Sequence, residues 1–269
     1  TPTNILLLSL AFSDFLVGTV LMPIQTLQIT YCWFLNPFLC SLYMYVIDII
    51  LFSSVINMVL ISVDRYVAIC DPLHYTSRIT VNRVKFCVCL LWSCSVAYNS
   101  YFFLLHLIQQ YFSFVCFGNC ASLSNNIATS LQLVLNFIIP VTVIIVLYMR
   151  LFFVAMSQAR AMRSHITAVT KQISVTKTAK KSELKAARTL GVLVVVFLMC
   201  FTPAYFVSVG TVNFIIHHSL AYFVQYLYYF NSCLNPVIYA LFYPWFRKTA
   251  KLIVTLQILQ PGSCEANIL

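Results

Sequence analysis

The chain is 269 residues long, 61% apolar and only 8% charged, with 22 Phe and 16 Tyr. A soluble exterior holds about a quarter charged residues, so this composition excludes water as the solvent for most of the chain. The net charge of +10 invites a nucleic-acid reading, but the cations are confined to three clusters between long apolar runs, and no nucleic-acid partner is expected.

Six apolar stretches follow one another, roughly 5–30, 39–63, 86–108, 127–154, 189–214 and 219–243. Each exceeds the ~20 residues that cross a ~30 Å hydrocarbon core. Helices are expected throughout, because strands of this length would leave backbone groups unpaired in lipid. The fold class is therefore an all-α membrane protein, one transmembrane domain over 1–269 without an internal repeat. The sixteen Lys and Arg lie at 65–85 (Arg65, Arg78, Arg83, Lys85), at 150–188 and at 247–251. The connections near 31–38, 109–125 and 215–218 carry none. One crossing per stretch puts all three clusters on one side, which the positive-inside rule makes the cytoplasm. The same topology puts the N-terminal TPTN in the cytoplasm. No signal peptide or lipidation start precedes the first span, and the abrupt start reads as that of a fragment.

Two of the six acids are deep in spans. Asp14 sits mid-span in "LSLAFSDFLVG", with Ser54, Asn231, Ser232 and Asn235 at similar depth. These five oxygen-bearing side chains can surround one small cation; equally, a protonated Asp14 can hydrogen-bond to Asn235. Asp48, in "LYMYVIDIILFSS", has no basic residue within sixteen positions on either side. A charge there is costly unless something offsets it, which makes Asp48 a functional candidate. The alternative is that it faces a neighbouring helix and pairs with a Tyr or Gln.

Asp64–Arg65–Tyr66 ends the second span on the cytoplasmic side. It forms either a local ion pair or, if Arg65 meets Glu183, a bistable lock between helices. Pro140, Pro203 and Pro236 lie inside spans, where a proline frees a carbonyl and kinks the helix. The last belongs to "NPVIY", which joins Asn235 to Tyr239.

The polar stretch 156–188 lacks Pro and Gly and is expected as a cytoplasmic loop with helical ends, solvated or serving as a docking surface. The segment 244–258 suits a short helix on the inner leaflet, Trp245 at the headgroups and Arg247, Lys248 and Lys251 toward anionic lipid. A short tail, 259–269, follows, with Cys264 available for acylation. Of eleven cysteines, Cys70, Cys87, Cys89, Cys94, Cys200, Cys233 and Cys264 are expected to stay reduced as small packers. Cys32, Cys40, Cys116 and Cys120 lie at the outer face, where disulfides persist. No Cys/His spacing suits zinc, and the adjacent His217 and His218 suit a loop. No nucleophile–base constellation for an enzyme is present. A transporter would need broken helices and an inverted repeat.

In order and spacing, "LAFSD", Cys40, "DRYVAIC", Trp92, Pro140 with Tyr148, "FLMCFTP" and "NSCLNPVIY" resemble the rhodopsin-like G-protein-coupled receptors. "TPTNILLLSLAFSDFLVG", "DRYVAICDPLHY", "KSELKAARTLGV" and "NPVIYALFYPWFRKTAK" look most like the trace amine-associated receptors. Odorant receptors share the second of these but usually lack the last. The resemblance implies a seven-helix bundle of which the second to seventh spans are present, with 156–188 as the third cytoplasmic loop. It implies a plasma-membrane protein, as in olfactory neuron cilia, that activates a heterotrimeric stimulatory G protein and also meets arrestin.

Roles follow from the resemblance position by position. Cys40 would pair with Cys120, and Cys116 with a cysteine upstream of Thr1. Asp14, Ser54, Ser232 and Asn235 match a sodium site, the ion acting as an allosteric ligand rather than a cofactor. Arg65 would leave Glu183 on activation, with Tyr148 and Tyr239 swinging inward. Amine receptors of this family hold the ligand ammonium with an Asp seven residues after the cysteine matching Cys40. Here that position is Ile47, and the acid comes one residue later, ~100° around the helix. At pocket depth the resemblance places Phe201, where a Trp is expected, with Tyr205, Gln225, Tyr226 and Tyr229. Gln132 stands where diamine-binding members have an acid, and Phe52 shares the Asp48 stripe. Rings and one carboxylate suit a small organic cation, so the expected ligand is an amine. A non-amine odorant, with Asp48 structural, is the alternative.

Overall fold

In a computed structural model the described residues are 1–31, 36–112, 126–166, 191–192, 194–203, 218–242 and 244–257. Every regular element among them is helical: α1 (Pro2–Leu16), α2 (Met22–Tyr31), α3 (Pro37–Cys70), α4 (Pro72–Arg78), α5 (Val81–Phe112), α6 (Asn126–Leu133), α7 (Ile139–Ile166), α8 (Val194–Pro203), α9 (His218–Phe242) and α10 (Pro244–Val254). Among the described residues, four helical stretches are long and apolar enough to cross a membrane: Pro2–Thr30, Phe38–Cys70, Val81–Leu105 and Ser130–Val154. Tyr205, Glu183, Cys32, Cys116, Cys120, Cys264 and most of the third loop lie outside the described residues, as does the Tyr239 side chain.

The longest helix organises the rest. α3 has 34 residues, about 51 Å at 1.5 Å per residue, more than a bilayer core requires. It starts at Asn36, whose Oδ1 accepts from the Leu39 amide at 2.9 Å, with Pro37 as first helical residue. α1, α5 and α7 all pack on α3, and α9 packs on α1.

Among the described residues, two π-helical turns interrupt the spans. Val17–Leu21 separates α1 from α2, and Val134–Ile138 separates α6 from α7. Each lies just before a proline, Pro23 and Pro140, whose ring displaces the carbonyl four residues earlier and widens the turn. The distortion at Pro140 is as expected; the one before Pro23 is an additional finding.

The bundle is polar inside and apolar outside. Ser13, Ser53, Asn57, Ser95, Asn99, Asn231 and Asn235 are buried, while Leu8, Phe15, Phe86, Leu90, Leu104 and Phe153 are exposed. That inversion is stable only where the surroundings are hydrocarbon. Four cysteines depart from their expected packing role: Cys87, Cys89, Cys94 and Cys233 are exposed, and only Cys200 of the described thiols is buried. A thiol is weakly polar and small, so lipid accepts it as readily as a core does. α10 leaves Arg247, Lys248 and Lys251 exposed while Phe246 packs against the core, and a turn at Thr255 and Leu256 ends it.

Candidate functional site

Three polar layers cross the bundle. At the end of the bundle where α1 begins and α3 finishes, Asp64 is nearly fully buried and is the hub. Its Oδ2 accepts from Thr3 Oγ1 at 2.9 Å and from Arg65 Nε at 3.0 Å, and its Oδ1 accepts from the Tyr75 hydroxyl at 2.8 Å. Arg65 also donates to Thr3. The first turn of α1, the end of α3 and α4 are thereby joined through one carboxylate. Burial, above all, raises the Tyr75 phenol beyond its ordinary value, so it remains a donor at neutral pH. On α4, the His74 ring bonded to Asp71 at 2.8 Å, with Arg78 at 3.4 Å, holds the Asp71 carboxyl below the usual carboxylate range. Tyr66 is half-buried beside Arg65. Tyr148, on α7, comes within 4.0 Å of where a Cβ on Gly191 would lie, at the start of the fifth apolar stretch. Thr3 and Tyr75 have no sequence signal linking them to Arg65; only the fold brings them there.

The middle layer holds Asp14, Ser54, Asn231, Ser232 and Asn235, all buried. Asn235 Nδ2 donates to Asp14 Oδ2 at 2.9 Å, and Ser232 lies near the same carboxylate. Ser54 instead donates to the Ile50 carbonyl at 3.1 Å. The Oδ1 atoms of Asp14, Asn231 and Asn235 are buried without a hydrogen-bond partner among the described residues. Orphaned carboxylate and amide oxygens at one level are the hard donors a small cation prefers, so these residues fit sodium. Toward the outer layer, the Phe201 ring stacks on Phe197 with centroids 4.1 Å apart and meets Tyr228 at a tilt, with centroids 4.0 Å apart.

The outer layer contains Asp48. Its neighbour Ile47 is buried in the core, so the usual amine-binding position faces packed side chains. Around Asp48, α3 is packed against α5. Ser95 donates to the Ile49 carbonyl at 3.0 Å, Tyr45 pairs with Ser100 at 2.9 Å, and the Phe52 ring stacks on Tyr98 with centroids 5.2 Å apart. Phe52 lies one helical turn beyond Asp48 on the same stripe. The phenols of Tyr98 and Tyr229 are within electrostatic reach of the carboxylate. Among the described residues, no hydrogen bond or ion pair engages it.

Of the other expected pocket residues, Gln225 donates to Tyr229 at 3.0 Å and to Gln25 Oε1 at 3.4 Å, and Tyr226 pairs with Thr26 at 3.0 Å. Tyr43 also donates to Gln25, at 3.3 Å. These side chains hold α2, α3 and α9 together instead of meeting Asp48 directly. Gln132 is half-buried on α6. Cys40 is buried and disulfide-bonded; its expected partner lies outside the described residues.

A family model described as 7 transmembrane receptor (rhodopsin family) matches residues 1–239. The chain belongs to the rhodopsin family of seven-transmembrane receptors. It is therefore a multi-pass plasma-membrane receptor and not an enzyme. Over its whole length this receptor is similar to curated relatives called trace amine-associated receptors. The 13c member of Danio rerio is 38% identical over 283 residues, covering 100% of this chain and 80% of the relative. Member 5 of Rattus norvegicus is 35% identical over 279 residues, with 100% and 80% covered. Member 1 of Mus musculus is 34% identical over 281 residues, with 100% and 83% covered.

Proposed function

We propose that this receptor senses a small amine, that Asp48 takes its ammonium group, and that the signal passes to a stimulatory G protein, with arrestin as a further cytoplasmic partner. One observation carries the reading: a carboxylate at pocket depth with no hydrogen bond or ion pair among the described residues. Asp48 is eight residues inside the disulfide-bonded Cys40, about 12 Å by helical rise. Aromatic rings beside it add cation–π attraction to the charge. The names of the relatives point the same way.

Resting and active states would differ at the other two layers. Asp14 with Ser232, Asn231, Asn235 and Ser54 would hold sodium in the resting state, where the ion supplies the positive charge that burial otherwise denies a carboxylate. At the cytoplasmic end, Arg65 would be restrained by Asp64 and by Glu183 and would meet the G protein once released, with Pro203 and Pro236 absorbing the helix movement and Tyr148 and Tyr239 following.

The test is a cyclic-AMP response in cells expressing the receptor, screened with small primary amines against neutral isosteres of the same shape. Amines should activate and the isosteres should not. Activation by neutral odorants alone would hand the site to the alternative in which Asp48 is structural.

A further inference from the structure

Tyr98 is one of sixteen tyrosines, and nothing in its sequence neighbourhood singles it out. Its surroundings do. The Tyr98 hydroxyl is buried without a hydrogen-bond partner among the described residues, and Asp48, the charge within its reach, has none either. A buried phenol hydroxyl left unpaired costs about 1–3 kcal/mol, so such a group is a candidate for satisfaction by something that enters the site.

The ring is fixed in place. It stacks on Phe52 at 5.2 Å and meets Phe102 edge-to-face at 5.0 Å. The α3–α5 register that presents it is pinned by Ser53 donating to Ser95 at 3.1 Å and by the Ser95 bond to the Ile49 carbonyl. The two unsatisfied groups thus sit on facing helices beside a wall of rings.

Resting on the amine reading above, we propose that Tyr98 is a specificity-determining residue that counts the N–H groups on the ligand. Asp48 takes the charge and one N–H; the Tyr98 oxygen accepts a second. A primary ammonium has three N–H donors and satisfies both groups. An N,N-dimethyl ammonium has one, which Asp48 uses, and its methyl groups leave the phenol unpaired. The rings of Phe52 and Phe102 attract either cation equally well. The site therefore prefers primary amines to their N-methylated homologues, and Tyr98, not the carboxylate, makes the distinction.

The experiment compares wild type, Tyr98→Phe and Asp48→Asn at equal surface expression. The probes are 2-phenylethylamine, isopentylamine and cyclohexylamine, each paired with its N,N-dimethyl derivative. Tyr98→Phe keeps the ring and its stacking and removes only the oxygen. It should weaken the primary amines at least tenfold and the dimethyl homologues less than twofold, collapsing the preference. Asp48→Asn should weaken both members of each pair. Equal losses for the two members in Tyr98→Phe, or no loss, overturn the role of Tyr98 while leaving the amine site standing. Responses that survive Asp48→Asn overturn the amine site, and the Tyr98 proposal with it. Ligand-induced shifts in the melting temperature of the solubilised receptor give the same comparison independently of signalling.

Discussion

Asn235 and Asp14 are 221 positions apart in sequence, yet the amide of the first donates to the carboxylate of the second at 2.9 Å in the centre of the bundle. That bond ties the last span to the first described one at the level where each carries its polar residues. The remaining oxygen of each side chain is buried and unsatisfied among the described residues.

Sodium sensitivity follows from that geometry. Raising sodium should weaken agonist binding to the receptor, and Asp14→Asn should abolish the effect, since the neutral amide no longer attracts the ion. Radioligand competition at a series of sodium concentrations measures this. If sodium acts equally on both proteins, the ion binds elsewhere.

At the cytoplasmic end, loosening Arg65 should raise activity without ligand. Glu183→Ala should raise basal cyclic AMP. Tyr75→Phe should do so too, because it removes the 2.8 Å donation to Asp64. A hydrogen bond to a charged group contributes about 1.5–3 kcal/mol, enough to shift a two-state balance by a decade or more. Basal levels unchanged at equal surface expression would remove both residues from the restraint.

Gln25 should prove more important to stability than its position suggests. Its Oε1 accepts from both Tyr43 and Gln225. Gln25→Met keeps the volume but removes the shared acceptor, leaving Tyr43 with the Leu21 carbonyl and Gln225 with Tyr229, and each hydrogen bond lost costs about 0.5–1.5 kcal/mol. Thermal melting of the purified receptor should fall by several degrees; an unchanged midpoint would mean the network repacks around the gap.

The orientation in the membrane is checked by an epitope inserted near Thr170. Antibody should label it only in permeabilised cells. Labelling of intact cells would reverse the topology and move the Asp64–Arg65 cluster to the wrong side of the membrane.

Much of this arrangement was legible before any coordinates. Spans are long because hydrocarbon is thick, so hydropathy alone comes close to the four membrane-length helical stretches found among the described residues. The buried polar residues Asp14, Ser232 and Asn235 stood out because polar groups in lipid are expensive. Tyr98, Gln25 and Thr3 did not stand out. Each is ordinary in a local window, and each acquires its role from a residue on another helix: Asp48, Gln225 and Asp64. The turn before Pro23 has no sequence signal of its own: the apolar stretch 5–30 runs through Pro23 without a break, and only the backbone shows the wider turn.

The central claim is that Asp48 pairs with an ammonium, and direct binding tests it. A radiolabelled agonist amine should bind Asp48→Asn more weakly than wild type. Breaking a buried charge pair costs about 3–5 kcal/mol, and about 1.4 kcal/mol is tenfold, so the loss should reach roughly two to three decades. Moving the acid back, with Ile47→Asp and Asp48→Val together, should recover amine binding with a changed preference. An affinity unchanged in Asp48→Asn would contradict the account and leave Asp48 a structural acid in a receptor for some other class of ligand.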